Sequence, residues 1–241
     1  MKIGIIGTGA IGGIIAKKLS DAGHQVKVSN RGSFEDLKKR ADEIGALPAS
    51  MQDVVKDVDV VILSVPTTSI PDLPKDLFSN SSQDLIIVDT TNYYPFRDGE
   101  IEELQSGKVE SVWVSEQIGR PVVKAFNNLL AQSLASGNST IAMAISGNDE
   151  KAKTVIAGLV KDTGFDFVDA GLLENSWKHQ PGTPAYCTEL SASELKKELE
   201  NADKNAAAQI RDHSMSELFK LTVPPTHEEL VQFNRNLFAK K

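Results

Sequence analysis

Short apolar runs recur along the first two-thirds of the chain, at residues 3–6, 25–29, 58–65, 85–89, 122–126, 140–145 and 165–168. Several are continuous rather than alternating, as in "VDVVILSV" and "DLIIVDT". An alternating strand buries one face, whereas a continuous apolar strand is covered on both. The second condition is that of a parallel sheet between helices. Stretches with helical spacing of apolar positions lie between the runs, at residues 11–22, 35–44, 51–55, 101–105, 111–118, 128–134 and 149–163. This alternation predicts an α/β fold with a doubly wound, mostly parallel sheet.

The pattern changes after Gly171. The stretch "NSWKHQPGTPAYCTEL", residues 175–190, holds two prolines and a glycine and reads as an ordered loop. A long helix is expected next, capped by Ser191 or Ser193. Its apolar stripe is Leu195, Leu199, Ala202, Ala206 and Ile210. "VPPT", residues 223–226, stops that region, and Thr226 with Glu229 forms a capping box for a last helix ending near Lys240. The expected organisation is a sheet domain over residues 1–174 and a helical appendage over 175–241. The appendage would cover a substrate or meet a second copy of the chain.

The first strand runs into "KIGIIGTGAIGG", residues 2–13, where Gly7, Gly9 and Gly12 make G-x-G-x-x-G. Glycine is common, so context carries the signal. A strand precedes the motif, a helix follows, and a second strand begins near Gln25, completing the Rossmann-type βαβ unit of a dinucleotide site. Gly7 allows the tight turn, Gly9 lets the backbone approach a diphosphate, and Gly12 lets helix and strand pack closely. The positive end of the helix then faces the phosphates. The second strand ends in "VSNRGS", residues 28–33, with no carboxylate where NAD binders carry one for the ribose 2′-hydroxyl. Asn30 and Arg31 suit a 2′-phosphate instead, with Ser29 and Ser33 as further donors and Gly32 keeping the backbone close. NADP(H) is therefore the expected cofactor.

Three further strand ends belong to the same edge. "LSVP" (63–66) places Val65 and Pro66 beside the nicotinamide half. "DTTN" (89–92) and "KAFN" (124–127) bring Thr91, Asn92 and Asn127 within reach of the carboxamide or a substrate.

Net charge and cysteine content narrow the classes. The 241 residues carry a net charge of −7, which argues against nucleic-acid binding. The single cysteine, Cys187, excludes an internal disulfide and fits a reducing compartment. No apolar run reaches the roughly 18 residues of a membrane span, and no leader peptide is legible. A cytoplasmic protein is expected. His24, His213 and His227 show no metal-ligand spacing, and no G-x-S-x-G elbow is present.

In this order, "KIGIIGTGAIGG", "SNRG", "LSVP", "VDTTN" and "KAFN" resemble the NADP-dependent oxidoreductases similar to deazaflavin (coenzyme F-420):NADP oxidoreductases. The reductase domain of the STEAP metalloreductases looks like a cousin. The resemblance covers residues 1–171. It implies hydride transfer between NADPH and a flavin-like ring in one cleft. By the same resemblance, Thr8, Gly9, Ala10 and Ile11 would meet the diphosphate, Ser29, Asn30, Arg31 and Gly32 the 2′-phosphate, and Ser64, Val65 and Pro66 the ribose–nicotinamide side. Related proteins are frequently dimers, so a homodimer is expected.

A flavin-like or deazaflavin acceptor needs no catalytic acid, whereas a small imine or ketone does. His179, Tyr186 and Lys124 are the candidates, with Trp177 beside the first; each has an ordinary structural reading, His179 as a solvated loop residue and Cys187 as a packing thiol. The alternatives are a pyrroline-carboxylate or hydroxyacid type reductase and a protein that senses NADPH without turnover.

Overall fold

The computed structural model describes residues 1–239. Six parallel strands form one sheet: β1 (Lys2–Ile6), β2 (Gln25–Ser29), β3 (Leu47–Pro48), β4 (Val60–Leu63), β5 (Ile86–Asp89) and β6 (Val123–Lys124). Their order is β3-β2-β1-β4-β5-β6. The chain winds outward from β1 in one direction and then returns to wind outward in the other, the doubly wound topology expected. Ile3 lies opposite Val26 and Val60, and Ile5 opposite Val28 and Ile62.

Helices cover both faces. On one side, α1 (Ala10–Asp21) and α2 (Phe34–Ile44) bring Ile15, Leu19 and Leu37 onto Val60 and Ile62. On the other lie α3 (Pro95–Asp98), α4 (Glu102–Gln105) and α5 (Glu110–Ile118), where Trp113 and Val114 join the cluster of Val61 and Leu63. All four residues of β4 are buried, which is why its sequence is an unbroken apolar run.

After β6 come α6 (Ala131–Ser136), β7 (Ala142–Ile145), α7 (Glu150–Asp162) and β8 (Asp166–Asp169). β7 and β8 pair in parallel with each other. An antiparallel bridge between Lys124 and Ser146 then joins β7 to β6, so this pair runs against the other six strands.

Two helical expectations need correction. Residues 51–55 form turns rather than a helix. The Val54 N–H bonds the Ser50 carbonyl at 3.0 Å, but the turn is not continued and Asp57 reverses the chain at φ 54°. The tail carries α8 (Ala192–Asn201) and α9 (Lys204–Phe219) in place of one long helix. Ala202 leaves helical geometry at ψ 134°, and the Asp203 side chain restarts the helix by accepting from the Asn205 N–H at 2.9 Å. Leu195 and Leu199 pack on Ala142, Ala144 and Ala185, but Ala206 and Ile210 are only half-buried, and Ala207 and Arg211 take the buried face of α9. The Thr226–Glu229 capping box opens α10 (His227–Asn236). Lys240, the expected end of this helix, lies outside the described residues. Among the described residues no helix is long and apolar enough to cross a membrane.

Candidate functional site

Beyond their regular ladders, the carboxyl ends of the central strands stay paired. The N–H groups of Gly7, Ser64, Thr90 and Ala125 bond the carbonyls of Ser29, Ile6, Leu63 and Asp89 at 2.8, 2.8, 3.1 and 3.2 Å. The side chains that follow therefore open on one cleft with two adjoining halves. Gly9, Ser64, Val65 and Pro66 line both. One half, about 400 Å³, is bounded also by Gly7, Thr8, Asn30, Arg31 and Met51. The other, about 270 Å³, is bounded by Ala10, Ile11, Thr91, Asn92, Asn127 and Tyr186.

The glycines of the loop divide by what requires them. Gly7 sits at φ +104°, and a Cβ there would lie 2.1 Å from the Ser64 carbonyl oxygen. A Cβ on Gly12 would lie 2.0 Å from the Gly7 carbonyl oxygen. A Cβ on Gly9 would meet nothing within 4 Å. Packing thus demands glycine at 7 and 12, while the space over Gly9 is free of protein. Helix α1 starts at this point with no side-chain cap and no acid in its first turn. Its first N–H groups therefore offer an uncapped, positive helix end to that space, which fits a diphosphate.

The turn after β2 is built around Asn30. Its Oδ1 accepts from the Gly32 N–H at 2.9 Å and its Nδ2 donates to Thr8 Oγ1 at 2.7 Å, tying the turn to the glycine loop. Ser29 is buried at the end of the strand. Arg31 is exposed and donates to Asp72 Oδ2 at 2.9 Å. Asp72 comes from the loop after β4, so an acid does stand near the turn, supplied from 41 residues away. In solvent such a pair contributes little, which leaves the guanidinium able to exchange Asp72 for a phosphate. Ser33 serves the next helix instead. Its Oγ caps α2 by accepting from the Asp36 N–H, and it donates to Asp36 Oδ2.

On the other half, Asn92 and Asn127 brace each other. Asn127 Nδ2 donates to Asn92 Oδ1 at 3.0 Å, and Asn92 Nδ2 to the Asn127 carbonyl at 2.9 Å. The Tyr186 hydroxyl accepts from Tyr94 at 3.0 Å and, more weakly, from Asn92 Nδ2 at 3.4 Å. Thr91 is buried and its Oγ1 has no hydrogen-bond partner. An orphaned hydroxyl in the lining of a cleft fits a polar ligand group there, such as a carboxamide.

Two candidate acids do not reach this space. His179, read from sequence as a solvated loop residue, is fully buried. Its Nε2 lies 2.9 Å from Ser146 Oγ and its Nδ1 2.9 Å from Asn127 Oδ1. Burial, with a contribution from Lys124, pushes it down to about 3, so it is neutral at physiological pH. Lys124 is buried too; its ammonium lies 3.0 Å from Asp89 Oδ2 and also donates to the Thr91 carbonyl. Ser111 Oγ donates to the same Asp89 oxygen at 2.7 Å. This pair fixes the ends of β5 and β6 and does not line the cleft. Trp177 is half-buried outside it. Cys187 is buried and its thiol is pushed up to about 12 by burial, the state of a packing residue. Among the described residues no group of His, Cys, Asp and Glu is arranged to hold a metal.

Sequence reasoning passed over Tyr94, Arg97, Phe126 and Leu129, which line the half of the cleft that holds Asn92 and Asn127. For Tyr94 and Arg97 the signal was the "YYPFR" that directly follows "DTTN"; Phe126 lies within "KAFN" and Leu129 just after it. Phe126 sits at φ 59°, a strained conformation for an aromatic residue and common beside functional sites.

Residues 2–93 match the family described as NADP oxidoreductase, coenzyme F420-dependent. The protein YjhV of Escherichia coli (strain K12) is 33% identical over 118 residues, which are 49% of this chain and 83% of that protein. The crystal structure of the hypothetical protein SMa0349 from Sinorhizobium meliloti is 31% identical, covers 79% of this chain and 95% of its own, and superposes with a TM-score of 0.70. A "putative F420 dependent NADP-reductase" from Arthrobacter sp. FB24 is 22% identical, with 73% and 87% covered and a TM-score of 0.60. The chain belongs to the family of coenzyme F420-dependent NADP oxidoreductases. It is an NADP-dependent oxidoreductase on a Rossmann-like fold.

Proposed function

We propose that the protein passes a hydride between NADP(H), laid across both halves of the cleft, and a flavin-like or deazaflavin ring held against its amide-lined end. The observation that carries the cofactor placement is Gly9: nothing in the fold requires glycine there, and the space its side chain would occupy faces an uncapped helix end. Bound nicotinamide would supply the hydride. The chain would supply alignment, which gives much of the rate in such transfers. Ala10 and Ile11 would hold the diphosphate with Gly9, Arg31 and Asn30 the 2′-phosphate, and Val65 and Pro66 would wall the nicotinamide from water.

The ring acceptor is supported by the family and by the absence, along this wall, of a group that titrates near neutrality. His179 and Lys124 are both sequestered. A second reading, reduction of a small imine or ketone, is favoured by one observation. The Tyr186 hydroxyl stands in the lining, accepts from two neighbours, and keeps its own proton because burial raises its pKa well above the usual range.

NADPH oxidation, followed anaerobically with coenzyme F-420, FMN, riboflavin, 1-pyrroline and a ketone series, tests both. A ring acceptor with a rate unchanged in Tyr186→Phe supports the first reading. A small acceptor whose rate falls at least about a hundredfold in that variant supports the second. Tight NADPH binding with no oxidation by any acceptor would sink both and leave a sensing role.

A further inference from the structure

Arg97 stands on α3, the short helix that follows the carboxyl end of β5. Its guanidinium is held along one edge. Nε donates to Asp98 Oδ1 at 3.1 Å, and Nη2 donates to Asp98 Oδ2 at 2.8 Å and to the Asn92 carbonyl at 2.6 Å. The group also rests over the Tyr94 ring, 5.4 Å from its centroid. Three of its five N–H groups are thus spent, and the two on Nη1 have no acceptor among the described residues.

The two members of this ion pair differ in access. The Asp98 side chain is fully buried, and its Oδ2 also accepts from the Tyr94 N–H at 2.9 Å, whereas the Arg97 side chain is 43% exposed. Arg97 lines the half of the cleft that holds Asn92 and Asn127, and Asp98 does not. A molecule in that half therefore meets the guanidinium rather than the carboxylate. Among the described residues Arg97 is the one charged side chain in this lining. An uncharged group pressed against the spare edge of the guanidinium strips water from a cation and returns little. A carboxylate or phosphate returns charge-assisted hydrogen bonds instead. The orphaned Thr91 hydroxyl already suits the carboxamide of the nicotinamide, which leaves Arg97 to the other reactant.

We propose that Arg97 is a specificity residue for the second reactant, which carries a carboxylate or phosphate that docks on Nη1. The inference rests on the placement of NADP(H) and its acceptor given above. The anion has two sources, the charged side chain of a flavin-like ring or the acid group of a small imine. A polar group of the cofactor itself is the rival occupant.

Calorimetry first measures NADP+ binding to wild type and to Arg97→Gln. Matched pairs that differ in the anion are then compared: coenzyme F-420 against its deazaflavin ring without the charged side chain, FMN against riboflavin, and 1-pyrroline-2-carboxylate against 1-pyrroline. Each is titrated into NADP+-saturated protein, and KM is measured with NADPH for every member that turns over. The wild type is expected to prefer the anionic member of at least one pair by at least about tenfold. Arg97→Gln should cut that preference below about threefold with an NADP+ Kd within about twofold of wild type. A merely structural role would weaken both members alike and leave the preference standing. Preference in a flavin or deazaflavin pair identifies the ring's side chain as the source, and preference in the pyrroline pair the small acid. No preference in any pair overturns the proposal, as does a preference that survives in Arg97→Gln. So does a tenfold rise in the NADP+ Kd of the variant, which assigns the guanidinium to the cofactor. Failure of wild type to bind NADP+ removes the underlying reading and is seen before any acceptor is added. If Arg97→Gln does not fold with Asp98 left unpaired, Arg97→Gln combined with Asp98→Asn removes both charges and should lose the same preference. Arg97→Lys should keep part of it.

Discussion

The two kinds of glycine in the loop after β1 should give opposite phenotypes when replaced. In Gly9→Ala the added methyl meets no protein atom within 4 Å. Residue 9 has φ −68° and ψ −164°, extended backbone open to any residue. The folded state should therefore change by less than about 1 kcal/mol, since alanine is a slightly poorer helix cap but a less flexible unfolded residue. Bound diphosphate would be displaced from the helix end. Losing one or two charge-assisted hydrogen bonds costs about 3 kcal/mol, or roughly a hundredfold in Kd. Gly12→Ala reverses this. Its Cβ would lie 2.0 Å from the Gly7 carbonyl oxygen and 2.9 Å from Ser64 Cβ, so backbone must move. Such strain costs about 1–3 kcal/mol or more, a fall in melting temperature of roughly 2–12 °C for a chain of this size. Differential scanning calorimetry and NADPH titration of both variants check this. A Gly9→Ala protein that binds NADPH like wild type, or melts as low as Gly12→Ala, would refute the reasoning.

Two further changes probe charge. Arg31→Ala should weaken NADPH by about 1.5–3 kcal/mol, roughly tenfold to a hundredfold, and NADH by less than about threefold. Equal losses would remove Arg31 from the 2′-phosphate. Its companion Asp72→Asn, which frees the guanidinium, should tighten NADPH a few-fold at low salt and leave NADH alone. Glu110 is buried, and that burial raises its carboxyl to about 7 despite Lys124 and the Tyr93 N–H. The folded state therefore holds this proton more tightly than the unfolded chain. The associated stability is complete below the usual carboxylate range and disappears as pH rises through about 7. Denaturant titrations should show Glu110→Gln gaining on wild type by on the order of 3 kcal/mol between pH 4 and 8; parallel curves would contradict the assignment.

What the sequence disclosed depended on how local each cause was. β1, β4 and β5 are almost wholly buried, so their covering layers are written directly as apolar runs. β3 has two residues, Leu47 exposed and Pro48 half-buried, and leaves no run to read. Met51, Val54 and Val55 imitate one turn of an amphipathic helix, but three apolar positions do not fix what the next residues do. The break before α9 is written in "NADKN", where Asp203 is a natural cap, but the apolar stripe of Leu195, Leu199, Ala202 and Ala206 runs across it with helical spacing. The glycine loop and the Asn30 turn are each a short unbroken stretch, so both are legible locally, although the hydrogen bond that joins them spans 22 positions. His179 draws its burial and both ring partners from residues 33 and 52 positions away, and Arg31 meets its acid 41 positions on. Nothing in the local pattern carries such pairings.

The Asn127 amide has a wider consequence. It reaches Asn92 on the neighbouring strand end and, with the same nitrogen, the His179 carbonyl at 2.9 Å, while its oxygen meets the His179 ring. The cleft wall at Asn92 and Asn127 is thus knotted to the segment that leads into the tail. Any tilt or shift of that segment must be felt by the two asparagines, so this edge of the cleft and the start of the tail move as one body.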